Sequence, residues 1–250
     1  MARKKTTWRN WFLLLLAGLL VALFFAVNLA RQNYEAKLRR QIWPVAAPEL
    51  SIRQNAPGGP FTTVLLLGDS RMAQWNLPKL THWRVVNAGT GGLTSGQILA
   101  GTAKVLDEFH PEVVVIEAGI NDLKYLGLRP EMATTLISLV ASNLTAIVVE
   151  CRKRHCQILV LEIWPAGEPS LARRLVWSEA ISASVIELNA RLRTLDAPAQ
   201  GTRVVDLFHE AGLKLGPERY RDTLHFQPEV YRQLTPALEK RLDAWPVLPN

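Results

Sequence analysis

Five short, uninterrupted apolar runs recur along the chain: TTVLLL at 62–67, WRVVN at 83–87, EVVVIEA at 112–118, QILVLEI at 157–163 and RVVDL at 203–207. A strand with one wet face alternates apolar and polar residues. A run without that alternation suits a strand covered on both faces. Helical stretches separate the runs. Met132, Leu136, Leu139, Val140, Leu144, Ile147 and Val148 recur at steps of three and four and form one apolar stripe. Residues 94–108, 171–195 and 228–243 also read as helices. Strands alternating with helices predict an α/β fold, a mainly parallel sheet covered on both faces. Residues 61–250 are long enough for one such domain.

The N-terminus obeys a different pattern. Residues 11–30, WFLLLLAGLLVALFFAVNLA, carry no charge and one strongly polar side chain, Asn28. Twenty helical residues span about 30 Å, the thickness of a bilayer core. A cleaved signal peptide competes with this reading, but its apolar region is usually only about 7–15 residues. Asn28-Leu29-Ala30 is also a poor small-x-small cleavage site. The expected organisation is a basic tail at 1–10, a transmembrane anchor at 11–30, and a juxtamembrane helix and linker at 31–60. Within that last segment, residues 43–60 hold four prolines and two glycines, the composition of a spacer that would hold the domain off the membrane.

The net charge of +7 resembles a nucleic-acid signal until it is located. Residues 1–40 contain eight basic side chains and one acid, Glu35, which accounts for the whole excess. The basic character therefore flanks the membrane segment, and no nucleic-acid partner is expected. The basic residues are equally numerous on the two sides of the segment. The N-terminal amine tips the balance toward a cytoplasmic N-terminus and a domain on the extracytoplasmic side. The two cysteines, Cys151 and Cys156, either close a small disulfide loop or stand as neighbouring thiols. Their spacing, with only His155 near, does not make a metal site.

Four motifs follow in order: Gly68-Asp69-Ser70, Asn87-Ala88-Gly89-Thr90-Gly91-Gly92, Gly119-Ile120-Asn121-Asp122 and Asp222-Thr223-Leu224-His225. The first three follow expected strands directly, at the carboxyl edge where open parallel sheets bind ligands. Ser70 needs a base to become a nucleophile, and His225 is the candidate. Asp222, three residues earlier, can meet the imidazole in a tight turn and fix its tautomer. The N–H of Ser70, the N–H of Gly92 and the side-chain amide of Asn121 can donate to a developing oxyanion. A second Asp-x-x-His, Asp206 to His209, ends the fifth run. There Asp206 is expected to cap or close the strand and His209 to lie on the surface.

The four blocks resemble those of the SGNH, or GDSL-type, hydrolases over roughly residues 62–240. The resemblance implies a flavodoxin-like, three-layer α/β/α sandwich with a five-stranded parallel sheet, and an ester-hydrolysing enzyme without metal or organic cofactor. It makes Ser70, Asp222 and His225 the triad, with Ser70, Gly92 and Asn121 as the oxyanion hole. Arg71 departs from the family, which often carries a small or apolar residue there. It reads either as a contact for an anionic substrate group or as a solvated first-turn residue. Trp75 and Trp164 read either as sugar-stacking platforms or as core residues, and Trp164 follows the fourth strand at the active edge. Short O-acyl groups, O-acetyl above all, on a cell-envelope carbohydrate are the expected substrate. A lipid ester or thioester, or transfer of the acyl group to another alcohol, are the alternatives.

Overall fold

The apolar runs form the sheet they predict. In the computed structural model, which describes residues 3–43, 48–54, 62–76 and 78–244, they become β2 (Thr62–Gly68), β3 (Trp83–Asn87), β4 (Val113–Glu117), β5 (Gln157–Leu161) and β6 (Thr202–Val205). These five strands are parallel, in the spatial order β3-β2-β4-β5-β6. A sixth, β1 (Arg53–Gln54), adds an antiparallel edge by pairing Arg53 with Asn87.

Successive side chains enter opposite cores. Leu65 and Leu67 of β2 join the larger apolar cluster, whereas Val64 and Leu66 join the second. The larger cluster holds side chains of α3 (Ser95–Phe109), α5 (Ala133–Arg152) and α6 (Ala180–Leu192). The second holds side chains of α2 (Ser70–Gln74), α7 (Leu207–Glu210) and α8 (Pro228–Asp243). Each Val or Leu fully buried this way stabilises the fold by about 1.5–3 kcal/mol. Leu66→Asp would put a charge between sheet and helix with nothing to neutralise it.

The N-terminal segment departs from expectation. Residues 31–42 do not form a separate juxtamembrane helix. One helix, α1, runs from Arg3 to Ile42 without interruption, because no glycine or proline stands between Gly18 and Pro44. From Trp8 to Leu29 its large apolar side chains are exposed, and Asn28 satisfies its amide on the Phe24 carbonyl at 2.8 Å. Its last turns are part of the domain. Leu38 and Ile42 are buried in the larger core, and Thr94 Oγ1 donates to the Gln41 carbonyl at 2.9 Å. Of the expected linker, residues 44–47 and 55–60 lie outside the described residues. The part between them is built in: Leu50 packs on Gly101, and the Ser51 N–H donates to Thr90 Oγ1 at 2.8 Å.

The expected helix over 171–195 is shorter. Arg173–Val176 is a single 3₁₀ turn, Trp177 is extended, and α6 begins at Ala180. The backbone of Val176 lies against Gly127, where an added Cβ would stand 1.9 Å from the Val176 carbonyl oxygen. The extended Trp177 interrupts the i→i−4 ladder, so one helical stripe cannot run from 171 through 195. Cys151 and Cys156 are both buried free thiols, and burial raises the ionisation point of each.

Candidate active site

Ser70 opens α2 directly after β2. Where β2 pairs with β4, Gly68 stands beside Glu117 with no room for a side chain: a Cβ would lie 2.2 Å from the Glu117 carbonyl oxygen. Asp69 is the N-cap, and its carboxylate accepts the Arg71 N–H at 2.9 Å. That cap starts the helix at Ser70 and leaves the hydroxyl at the strand's carboxyl end.

The loop before α8 brings the other two residues in. Asp222 Oδ1 accepts the backbone N–H groups of Leu224 at 2.8 Å and His225 at 2.9 Å, which folds the segment into a tight turn. His225 Nδ1 then lies 2.7 Å from Asp222 Oδ2, and His225 Nε2 lies 2.9 Å from Ser70 Oγ. Partial burial pushes the Asp222 carboxyl up. The hydrogen bonds from the imidazole and from the two N–H groups outweigh it and bring the group down to about 2. Asp222 is therefore a carboxylate through the neutral range. An imidazole so placed can accept a proton from Ser70, and the carboxylate can stabilise the imidazolium that results.

Two further loops reach the same edge. Asn121 lies in the short helix α4 (Ile120–Leu123), and its Nδ2 donates to the Leu93 carbonyl at 2.9 Å. Nδ2 carries two hydrogens, and that bond uses one. Gly92, the residue before Leu93, has φ +78°, a conformation that favours glycine. Of the three glycines in this block, Gly89 has a different task. It packs on the backbone of α2, where a Cβ would stand 2.3 Å from the Ala73 nitrogen. The buried Asp122 carboxylate ties the two loops together by accepting the Ser95 N–H at 2.9 Å and the Ser95 hydroxyl at 2.8 Å. Burial raises this carboxyl to about 6 against the pull of those bonds.

Arg71 is neither a substrate contact nor a solvated residue. It is completely buried. Its Nε donates to the Leu224 carbonyl at 2.9 Å, one Nη donates to the Trp164 carbonyl, and the other donates to the Pro165 carbonyl at 3.1 Å. The guanidinium thus clamps the turn carrying His225, and the loop after β5, onto the helix carrying Ser70. It also lies 3.6 Å from the buried Glu117. Burial and the neighbouring Asp69 charge push the Glu117 carboxyl up to about 8, with Arg71 opposing them. Trp164 likewise does not face substrate. It is 1% exposed and packs against Trp75, Phe208, Phe226 and Tyr231. Trp75 is equally buried. The rival Asp206 caps α7 by accepting the His209 N–H at 3.1 Å, with His209 exposed.

Arg71, Glu117, Asn87 and Asp122 were the residues that motif reading missed or misplaced as supports of the site. Asn87 holds the carbonyls of Met72 and Trp75 at 3.0 and 2.9 Å. Three of the four are charged residues that are fully buried, a property that local sequence does not display. Among the described residues no group of three His, Cys, Asp or Glu could hold a metal.

Comparison with known proteins agrees with this architecture. Residues 64–233 match the GDSL-like lipase/acylhydrolase family. An arylesterase of Vibrio mimicus is 27% identical over 115 residues, covering 40% of this chain and 54% of the relative, so the chain spans about half that protein's length. Among solved structures, a GDSL-like lipase from Bacteroides thetaiotaomicron superposes with a TM-score of 0.57 at 15% identity, covering 84% of this chain and 97% of that one. The lipase/acylhydrolase from Enterococcus faecalis superposes with a TM-score of 0.55 at 19% identity, covering 76% and 100%. At those identities the two structures speak for the fold.

Proposed function

The chain belongs to the GDSL-like lipase/acylhydrolase family, hydrolases of ester bonds, and from that premise we propose that it is a membrane-anchored serine esterase working through an acyl-enzyme on Ser70. The observation that carries this reading is the continuous contact from Ser70 Oγ to His225 Nε2 at 2.9 Å and from His225 Nδ1 to Asp222 Oδ2 at 2.7 Å. Ser70 Oγ attacks the ester carbonyl carbon while His225 Nε2 takes its proton. The negative charge moves to the carbonyl oxygen, where the N–H groups of Ser70 and Gly92 and the Asn121 amide receive it. His225 returns the proton to the leaving alkoxide and the alcohol departs. His225 then takes a proton from water as the water oxygen attacks the acyl carbon, and passes that proton to Ser70 Oγ as the Oγ–acyl bond breaks and the acid leaves.

Residues 11–30 are the membrane span in this reading, and the domain lies on the extracytoplasmic side. The length and hydropathy of α1 support a span. O-acetyl groups on an envelope carbohydrate remain one substrate class. The burial of Trp75 and Trp164 removes the sugar-stacking support for it. The junction of α1 with the domain at the carboxyl edge of the sheet favours esters carried in the membrane itself.

The test is hydrolysis of p-nitrophenyl esters, from acetate to decanoate, by the full chain in detergent, with Ser70→Ala as control. Turnover that disappears in the variant is expected. Equal rates from both proteins would overturn the reading. A carbohydrate or glycerol acceptor that captures the acyl group in place of water would convert it to acyl transfer.

A further inference from the structure

Outside α1, few large apolar side chains are well exposed, and two of them lie close together: Leu171 at 82% and Leu175 at 52%. Leu171 precedes, and Leu175 lies within, the 3₁₀ turn that replaces the first part of the expected helix. Arg173 and Arg174 stand between them, and the Arg173 guanidinium lies 5.1 Å over the Trp177 ring. Leu171, Arg174 and Leu175 are exposed, whereas Arg173 and Trp177 are half-buried, Trp177 against the larger core; exposed aliphatic and basic side chains so close together suit the boundary between anionic headgroups and acyl chains.

The position of this stretch matters as much as its composition. It leaves the carboxyl end of β5, the edge that carries Ser70. Its start is tied to the His225-bearing loop by the Gly167 N–H, which donates to the Thr223 carbonyl at 2.8 Å. Its end packs on Gly127 through Val176. The segment around Gly127 is also where α1 docks. Glu35 of α1 pairs with Arg129 at 2.7 Å and accepts the Tyr125 hydroxyl at 3.3 Å. Lys124 registers both neighbours: burial, with repulsion from Arg173 and Lys37 and attraction to Asp69, leaves it at about 8. Glu35 is only five residues beyond Ala30, the end of the uncharged run. At 1.5 Å per residue that is about 8 Å along the helix, so a bilayer around residues 11–30 would end beside this edge.

We propose that Leu171–Trp177 is a second membrane contact, which enters the bilayer interface beside α1 and holds the Ser70 edge against the lipid. The substrate is then an amphiphilic ester taken from that bilayer. The inference rests on residues 11–30 spanning the membrane and on Ser70 being the nucleophile. The occupant is lipid because the same edge receives a membrane-sized apolar helix, and because the exposed Arg174 between the two leucines complements anionic headgroups.

The direct test does not depend on catalysis. Single cysteines at Leu171, Leu175 and Val149 would carry an environment-sensitive fluorophore on the full chain in phosphatidylcholine/phosphatidylglycerol vesicles. Val149 is exposed near the opposite end of α5. The wild-type chain, with Cys151 and Cys156 buried, is the labelling blank. Spin-labelled lipids should quench most of the emission at 171 and 175 and little at 149. Equal quenching at all three positions would overturn the proposal, as would protection of 171 and 175 by a bound protein.

The substrate is tested separately. Leu171→Glu with Leu175→Glu should lower kcat/KM on a vesicle-borne lysophospholipid by about tenfold and leave p-nitrophenyl acetate turnover unchanged. Equal loss on both substrates would refute the substrate assignment. Inactivity of the wild-type chain on every ester would instead refute the esterase reading, and the quenching result would stand apart from it.

Discussion

Arg71 directly follows the candidate nucleophile, yet its side chain is spent on carbonyls more than ninety residues away in sequence: Leu224, Trp164 and Pro165. The planar fork of guanidinium donors makes three carbonyl contacts possible from one fully buried side chain. Lysine keeps the charge and loses the fork. Arg71→Lys is expected to lower kcat by on the order of 10²-fold, as displaced reacting groups do, with little change in KM for a small ester. Steady-state kinetics on p-nitrophenyl acetate checks the split, and a change confined to KM would deny Arg71 its positioning role. Asp222→Asn should cost on the order of 10³–10⁴ in kcat, because the amide favours the wrong imidazole tautomer. Glu117 supplies a pH signature. Its folded-state pKa is raised, so its share of stability is complete below the unfolded value near 4.5 and is lost as pH rises through about 8. Thermal denaturation between pH 5 and 8 should show a falling Tm in the wild type and a flatter curve in Glu117→Gln. Each kcal/mol lost corresponds to about 2–4 °C in a domain of this size.

Among the elements, α1 changes meaning most between sequence and structure. Periodicity separates an apolar span from a polar tail, but helical continuity is set by the absence of breakers, and none occurs between Gly18 and Pro44. The polar tail then uses only one face, with Leu38 and Ile42 inward and Arg39 and Arg40 outward. Leu38→Ala is expected to destabilise the domain by about 2–5 kcal/mol, as large-to-small core substitutions do. Chemical denaturation would measure it, and a change within error would mean that the helix end is only loosely seated. The stretch at 171–179 shows the opposite failure. Its leucines fit a helical pattern, yet the chain is extended at Trp177 and seats the Val176 backbone on Gly127.

For the whole molecule, the N-terminal helix and the hydrolase domain share one core and are not joined through a free spacer. A soluble fragment cut at residue 43 would lack Leu38 and Ile42 and expose the apolar surface they cover, whereas one cut at residue 31 would keep both. The longer fragment is expected to melt several degrees higher, at about 2–4 °C per kcal/mol. Calorimetry on the two would decide it, and equal Tm values would return the helix end to the role of a tether.

The strands, their parallel order of use and the four motif residues were legible because they depend on local rules. An apolar run without alternation marks a strand buried on both faces, and a serine, an Asx turn with histidine, and an asparagine in a loop each keep their chemistry wherever the chain puts them. Amino-acid order could not reveal that Arg71 and Glu117 are buried, that Trp164 is core, or that α1 ends inside the domain. Each depends on what distant segments leave uncovered. A charge goes inside only when carbonyls or a counter-charge from elsewhere meet it, and a tryptophan faces substrate only when no neighbouring ring covers it. Those conditions are set when the sheet closes on its helices.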